Sequence, residues 1–172
     1  MTGFENKKNL KKINKDAKND TINAQIISKA LLFHSKGNIL EAERYYRYCI
    51  EQKINDYRIF SNYGLILKNQ GKLREAELLL NKAIQLNPNW PVGHNNMGTI
   101  QKDLGKLHDA EISFLKAIKL KPDYVEAQYN LGNILSNLGK SREVRLCSEK
   151  IISIRSWSIL GSYIFNREMK LD

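Results

Sequence analysis

The stretch NYGLILKNQGK, residues 62–72, returns twice along this chain at a constant spacing. NMGTIQKDLGK occupies residues 96–106 and NLGNILSNLGK residues 130–140, so the second and third copies follow at equal intervals. All three copies begin with Asn, carry Gly two residues later and end in Gly-Lys. A fixed period of about 20 to 50 residues is typical of repeat architectures, in which neighbouring units stack and share one core.

The segments that follow these stretches repeat as well. LREAELLLNKAIQLNP (73–88) aligns with LHDAEISFLKAIKLKP (107–122), and an earlier copy is visible at residues 29–54. Within each segment apolar residues recur at helical spacing, which predicts a helix. Glycine stands between the two helices of a pair, where positive φ ends a helix at little cost, and proline follows the second helix and stops it. These residues are Gly71, Gly105, Gly139, Pro88 and Pro122.

The same signals predict a series of short helices joined by tight turns. The fourth copy is the weakest, because Val144, Ile151 and Ser156 replace the alanines and the proline of the earlier copies. The predicted helices cover about 23–35, 39–52, 57–69, 73–86, 91–103, 107–120, 125–137 and 141–154, with a last short helix at about 158–169.

The repeats resemble the tetratricopeptide repeat (TPR) family over about residues 23–156. The spacing from Asn62 to Asn96 and on to Asn130 equals the period of the family, and four positions match its pattern. The first helix carries a close-packing glycine, the second helix carries two alanines, and a proline closes the repeat. The matching residues are Gly64, Gly98 and Gly132, then Ala42, Ala76 and Ala110, then Ala83 and Ala117, and finally Pro88 and Pro122. The resemblance implies an all-α fold, a right-handed α-solenoid of helix-turn-helix TPR repeats.

On this basis we divide the chain into three parts. Residues 1–21 form a basic segment that we expect to be disordered, because it has few apolar groups. Residues 157–172 are expected to form a C-terminal capping helix or a truncated repeat. The central part, 22–156, holds four repeats at about 23–56, 57–90, 91–124 and 125–156, the last of them degenerate.

Composition excludes several classes of protein. The chain has 172 residues and a net charge of +10, its two cysteines have no metal-ligand spacing, and it has no apolar run long enough to span a membrane. No catalytic constellation, cofactor motif or metal site is visible around His34, His94 and His108. We therefore expect a cytoplasmic protein that is not an enzyme and has no cofactor.

One stretch of the sequence partly matches a nucleotide-binding motif. ILSNLGKS (134–141) ends like a P-loop, which requires G-x-x-x-x-G-K-[ST] so that backbone N–H groups can surround the phosphates. Ile134 stands where the first glycine would have to be. We interpret Gly139-Lys140 as another inter-helix turn.

Candidate binding residues lie in matching positions of the first helices. The resemblance implies that these helices line a concave face, on which extended partner segments bind in the family. Asn62, Asn96 and Asn130 share one position, and Asn has the donors and the acceptor that suit a peptide main chain. They resemble the asparagine ladder in the TPR region of O-linked N-acetylglucosamine transferases, although the same asparagines could instead brace neighbouring repeats. Further inward candidates are Thr99, Asn133, Lys68 and Lys102.

Two sets of lysines, and a comparison with a known peptide-binding site of the family, indicate which kinds of partner to expect. Lys68 and Lys102 could meet an acidic group, or could simply be solvated. In the carboxylate clamp of chaperone-binding TPR domains only Asn96 fits, and Glu126 would repel a carboxylate, so we do not expect binding of a chaperone C-terminus. Another lysine recurs once per repeat on the second helices, where we expect it to face solvent; these are Lys82, Lys116 and Lys150.

Three hypotheses follow. The first is a non-catalytic protein–protein interaction scaffold that binds an extended peptide on its concave face. The second is a stand-alone or truncated recognition arm of a glycosyl-, methyl- or sulfotransferase, since similar arrays precede such domains and this chain is too short to hold one. The third is nucleic-acid binding through the basic N-terminal arm, which we weigh against a merely solubilising tail. The lysines are scattered among acidic residues, which weakens the third hypothesis.

Overall fold

A computed structural model describes residues 21–168 of the chain, with side chains described for residues 21–154 and 156. This part contains eight helices joined by short turns. They are α1 (21–35), α2 (Ile39–Glu51), α3 (Tyr57–Asn69), α4 (Leu73–Leu86), α5 (Pro91–Asp103), α6 (Leu107–Leu120), α7 (Val125–Asn137) and α8 (Ser141–Glu168). The predicted all-α fold is confirmed, and the predicted bounds of α3 to α7 agree with the structure.

The glycine turns form as expected. Gly71, Gly105 and Gly139 have φ of +77°, +75° and +72°, and Gly37 has +73° in the first repeat. At each turn the residue after the glycine donates its N–H to a carbonyl in the last turn of the preceding helix; for example, Lys72 N donates to Leu67 O at 2.9 Å. This Schellman arrangement satisfies carbonyls that the helix end leaves free. The Gly-Lys pairs therefore end helices, as the sequence predicted.

The helices pack in sequence order into a right-handed α-solenoid. α3 packs on α4, α5 on α6 and α7 on α8, and each pair contacts the next through α4 with α5 and α6 with α7. The core has two buried clusters, one extending from Ile27 to Ile100 and the other from Ala110 to Cys147. A single helix pair could not enclose such a core, because part of the apolar surface of each pair is buried only when the neighbouring pairs pack against it.

Small residues let the paired helices approach closely. Ala42, Ala76 and Ala110 are fully buried at the same position of α2, α4 and α6. A Cβ atom added at Gly98 would lie 2.7 Å from the Phe114 ring, and one added at Gly64 would lie 3.3 Å from the backbone oxygen of Ala76. The expected packing role of these glycines is therefore visible in two repeats, whereas Gly132 has more room.

Salt bridges tie successive repeats together at the Gly-Lys turns. Lys106 Nζ lies 2.8 Å from Glu77, and Lys140 Nζ lies 2.7 Å from Glu111, so a turn lysine reaches the second helix of the preceding repeat in both cases. Glu43 holds the corresponding place in the first repeat, where it instead accepts hydrogen bonds from Arg47 and from Gln70. The repeated lysine thus contributes to inter-repeat packing.

The C-terminal end differs from expectation. The sequence predicted separate helices at about 141–154 and 158–169, but the structure has one continuous helix, Ser141–Glu168. The physical reason is that Ser156 stands where Pro88 and Pro122 end the earlier repeats, so nothing blocks the backbone hydrogen bonds of the next turn. The expected capping role of the C-terminal segment concerns side chains that lie outside the described residues. The expected disorder of the N-terminal segment concerns residues 1–20, which also lie outside the described part of the chain.

We predict opposite effects for alanine at two equivalent glycines. Gly98→Ala should destabilise the fold by about 1–3 kcal/mol, because the new methyl group would overlap the buried Phe114 ring. Gly132→Ala is the matched control: its Cβ would lie 3.8 Å from Cys147 Cβ, an ordinary contact, and helix propensity favours alanine by up to about 1 kcal/mol. Urea unfolding followed by circular dichroism measures both, and equal destabilisation would refute the close-packing role of Gly98.

A second prediction concerns pH and His34. Its Nδ1 lies 2.8 Å from the hydroxyl of the buried Tyr46, and burial lowers the pKa of His34 below its usual 6.5. The unfolded chain therefore takes up the proton at a higher pH than the folded chain does. Stability from neutral His34 is complete above about pH 6.5 and is lost as pH falls through its lower folded pKa. Thermal unfolding should thus show a steeper loss of stability between pH 7 and pH 5 in the native chain than in His34→Gln; parallel profiles would contradict this.

Candidate peptide-binding face

The first helices of the repeats form one continuous surface. α3 contacts α5, and α5 contacts α7, whereas among α2, α4, α6 and α8 no second helix contacts the next one. Helices that touch across successive repeats lie at a smaller radius than helices that do not. The array therefore curves with α3, α5 and α7 on its inner side, which we call the inner face.

The three predicted asparagines lie half-buried in the same position of α3, α5 and α7. Burial raises the pKa of the Tyr46 hydroxyl of the preceding repeat, and the nearby Asn62 amide offsets part of that rise. Asn130 donates from Nδ2 to Oδ1 of Asn95 at 3.0 Å. The side chain of Asn96 makes no hydrogen bond within the described part of the chain. Asn130 thus braces neighbouring repeats and Asn62 lies beside a hydroxyl of the preceding one, whereas Asn96 keeps all its donors and its acceptor available within the described part of the chain.

Sequence reasoning missed a fourth asparagine that joins the third and fourth repeats. Asn95 is completely buried, accepts the bond from Asn130 and donates from Nδ2 to Oε1 of Glu126 at 3.0 Å. Burial raises the pKa of the Tyr124 hydroxyl, as does Glu126, and the nearby Asn95 amide offsets part of that rise. Ser61 and Tyr129 occupy the equivalent positions, so no periodic pattern could have revealed Asn95. The doublet Asn95-Asn96 was the only signal.

The two predicted lysines share a carboxylate. Lys68 Nζ lies 3.5 Å from Oδ2 of Asp103, and Lys102 Nζ lies 3.8 Å from Oδ1 of the same residue. These contacts link α3 to the end of α5. The pair therefore offers a partner one net positive charge, rather than the two that the sequence suggested.

The remaining predicted residues lie on the same helices. The Thr99 hydroxyl donates to the backbone oxygen of Asn95 at 3.1 Å, and Asn133 is exposed on α7. The hydroxyl oxygen of Ser61 is buried and has no hydrogen-bond partner among the described residues. The inner face thus combines amide, hydroxyl and ammonium groups, which can hydrogen-bond to a main chain and attract a carboxylate.

Among residues 21–154 and 156, whose side chains the structure describes, no cluster of His, Cys, Asp and Glu could hold a metal ion. Burial raises the pKa of both the Cys49 and the Cys147 thiols, which keeps them protonated and poorly nucleophilic. Within the same range, no helix combines the length and the apolar character needed to cross a bilayer.

Comparison with known folds agrees with this architecture. The chain is similar to MamA, with 22% identity and a TM-score of 0.67, and the match covers 74% of each chain. It is similar to YrrB, described as a TPR protein with an unusual peptide-binding site, with 18% identity and a TM-score of 0.69 over 82% of this chain and 73% of that one. It also matches the O-GlcNAc transferase of Thermobaculum terrenum, with 24% identity and a TM-score of 0.62, over 67% of this chain but only 22% of the enzyme.

Family models match three parts of the chain. A TPR repeat model covers residues 100–139, and tetratricopeptide repeat models cover 57–90 and 125–156. A search of curated protein sequences gives no match. The structural relatives support the fold alone, since their sequences are distant. With the constant repeat period and the stacked helix pairs, the family models show that this chain belongs to the tetratricopeptide repeat family.

Proposed function

We propose that the chain is a non-catalytic scaffold that binds an extended peptide segment along its inner face. The coarser part of this function, protein–protein interaction, is what the TPR fold suggests. Peptide binding along the inner face is supported chiefly by one observation, the unpaired side chain of Asn96. Asn96 lies on α5, the first helix of the third repeat, where its side chain is half-buried and its amide is unpaired among the described residues.

An unpaired, half-buried amide is costly to a folded protein unless water or a ligand satisfies it. A peptide main chain presents an N–H and a C=O at each residue, which match the acceptor and the donors of Asn96. Asn130 keeps unused hydrogen-bonding capacity, because one bond occupies only part of an amide. Thr99 and Asn133 extend the same polar surface on α5 and α7.

The basic pair at the end of the inner face adds a charge preference. Lys68 and Lys102 both face Asp103, and a peptide carboxylate could replace Asp103 as their partner. Partial exposure of all three side chains keeps this exchange accessible to a ligand. We therefore expect a moderate preference for peptides that carry one acidic group near this position.

The first test compares two asparagines. A peptide ligand is selected from a random phage-displayed library on the full chain, and its affinity is measured by fluorescence anisotropy. Asn96→Ala should weaken binding by about five- to tenfold, the effect of losing hydrogen bonds at a half-buried site. The stability of the variant should not fall, because Asn96 holds no hydrogen bond within the described part of the chain.

Asn81→Ala is the matched control, since Asn81 is exposed on α4, away from the inner face. Asn130→Ala provides a contrast: it should lower stability as well as affinity, because it leaves the buried Oδ1 of Asn95 without Asn130 as donor. If Asn96→Ala and Asn81→Ala bind the selected peptide equally well, the proposed role of Asn96 is wrong.

A second test uses charge. Asp103→Asn removes the shared carboxylate and frees both lysines, so affinity for a peptide with glutamate should rise by about two- to fivefold over its glutamine analogue. Asp109→Asn makes the same change of net charge on the exposed surface of α6. An equal gain in both variants would show that only net charge matters, which would remove Lys68 and Lys102 from the site.

A second candidate function is a recognition arm for a transferase. Its support is the similarity of the array to part of an O-GlcNAc transferase, of which the match covers 22%. Co-purification of the chain with a transferase encoded beside it would support this candidate, and an unrelated neighbouring gene would count against it.

A further inference from the structure

One apolar side chain projects outward from each of the last three second helices. Leu78, Ile112 and Leu146 occupy the sixth position of α4, α6 and α8, one per repeat, and are 70%, 65% and 58% exposed. At about 100° per residue, Leu78 points opposite to the buried Ala76 and Leu80 of the same helix. The three side chains therefore contribute little to the core, and their repetition separates them from scattered exposed apolar residues.

Basic residues border this apolar row on both sides, one helical turn before it and one turn after it. All six are exposed, and among the described residues only His108 has a carboxylate within ion-pair distance, Glu111 at 3.9 Å. The preceding row is Arg74, His108 and Arg142, and the following row is Lys82, Lys116 and Lys150. We call these three rows the outer stripe.

The first basic row of the outer stripe does not stabilise its helices. Arg74 and Arg142 lie in the first turn of their helices, where the positive end of the helix dipole disfavours a cation, and His108 holds the equivalent position in α6. Acidic residues also lie in these turns, at Glu75, Asp109 and Glu143, and they interact favourably with that dipole. Cations thus stand at positions where the helix favours anions, and they lie beside apolar side chains that are exposed to water. This combination indicates a partner that is anionic and has an apolar layer.

We propose that the outer stripe binds an anionic lipid surface. Leu78, Ile112 and Leu146 would insert between the headgroups, and the bordering arginines and lysines would contact the lipid phosphates. The row lies on the outer side of a curved array, so its side chains project from the surface, whereas small-molecule ligands bind in concave sites. The second helices do not contact one another, and a deformable lipid layer needs no fixed spacing between them.

The test measures co-sedimentation of the full chain with vesicles. Binding should occur with vesicles of phosphatidylcholine mixed with phosphatidylglycerol and should be absent with phosphatidylcholine alone. Each cation near an anionic surface contributes about fivefold, so Lys82→Gln, Lys116→Gln and Lys150→Gln together should weaken binding by at least about tenfold. Lys29→Gln, Lys36→Gln and Lys72→Gln together form the charge-matched control on exposed lysines outside the stripe and should weaken binding much less.

The apolar row separates this proposal from simple charge attraction. Leu78→Ser, Ile112→Ser and Leu146→Ser together should weaken vesicle binding by at least about tenfold, as the loss of inserted apolar groups requires. Leu32→Ser with Leu40→Ser is the control, because these residues are 50% and 71% exposed outside the stripe. Circular dichroism verifies that every variant is folded.

Three results would overturn the proposal. The first is equal loss in both triple-glutamine variants, which would assign binding to net charge. The second is full vesicle binding by the triple-serine variant, which would assign it to electrostatics elsewhere, including the N-terminal segment. The third is a stripe that captures an acidic peptide but no vesicle, which would make the partner a protein.

Discussion

The structure depends on how closely the two helices of each repeat approach. At Gly98 the α5 backbone lies so near Phe114 that even a methyl group would collide with the ring. Alanines at one shared position of α2, α4 and α6 are fully buried for the same reason. Because the pairs are this close, their outer surfaces can meet the next pair, and a continuous core develops from modules that are individually too small to fold.

Polar contacts determine how one repeat sits on the next. The lysine–glutamate pairs at the turns are partly exposed, so each contributes little free energy on its own. The buried amide of Asn95 matters more, because any displacement of α7 would leave it without Asn130 and Glu126 as partners. Some side chains of the inner face therefore also hold neighbouring repeats together. This explains why Asn130 can be both structural and available for a further hydrogen bond.

The repeat also places different chemistry on its two sides. The inner helices present amides, a hydroxyl and a partly neutralised basic pair, all on elements that touch from one repeat to the next. The outer helices present aliphatic side chains between cations, on elements that stay apart. A ligand that needs closely spaced hydrogen bonds suits the first surface, and an extended, deformable ligand suits the second. We infer that one array could engage both at once, since the surfaces share no residues.

The sequence by itself determined the family, the bounds of α3 to α7 and the turns, because each follows from local rules. Gly71 requires positive φ, Pro88 cannot continue a helix, and a constant period fixes the register. The prediction was wrong at α8, where two helices were expected although Ser156 stands in place of the proline that would end the first. Tertiary structure alone decided which asparagine is free, since Asn62, Asn96 and Asn130 are identical in sequence terms. The groups beside Asn62 and Asn130, the Tyr46 hydroxyl and the Asn95 amide, come from other helices, and whether a side chain has a partner depends on distances that no single repeat encodes.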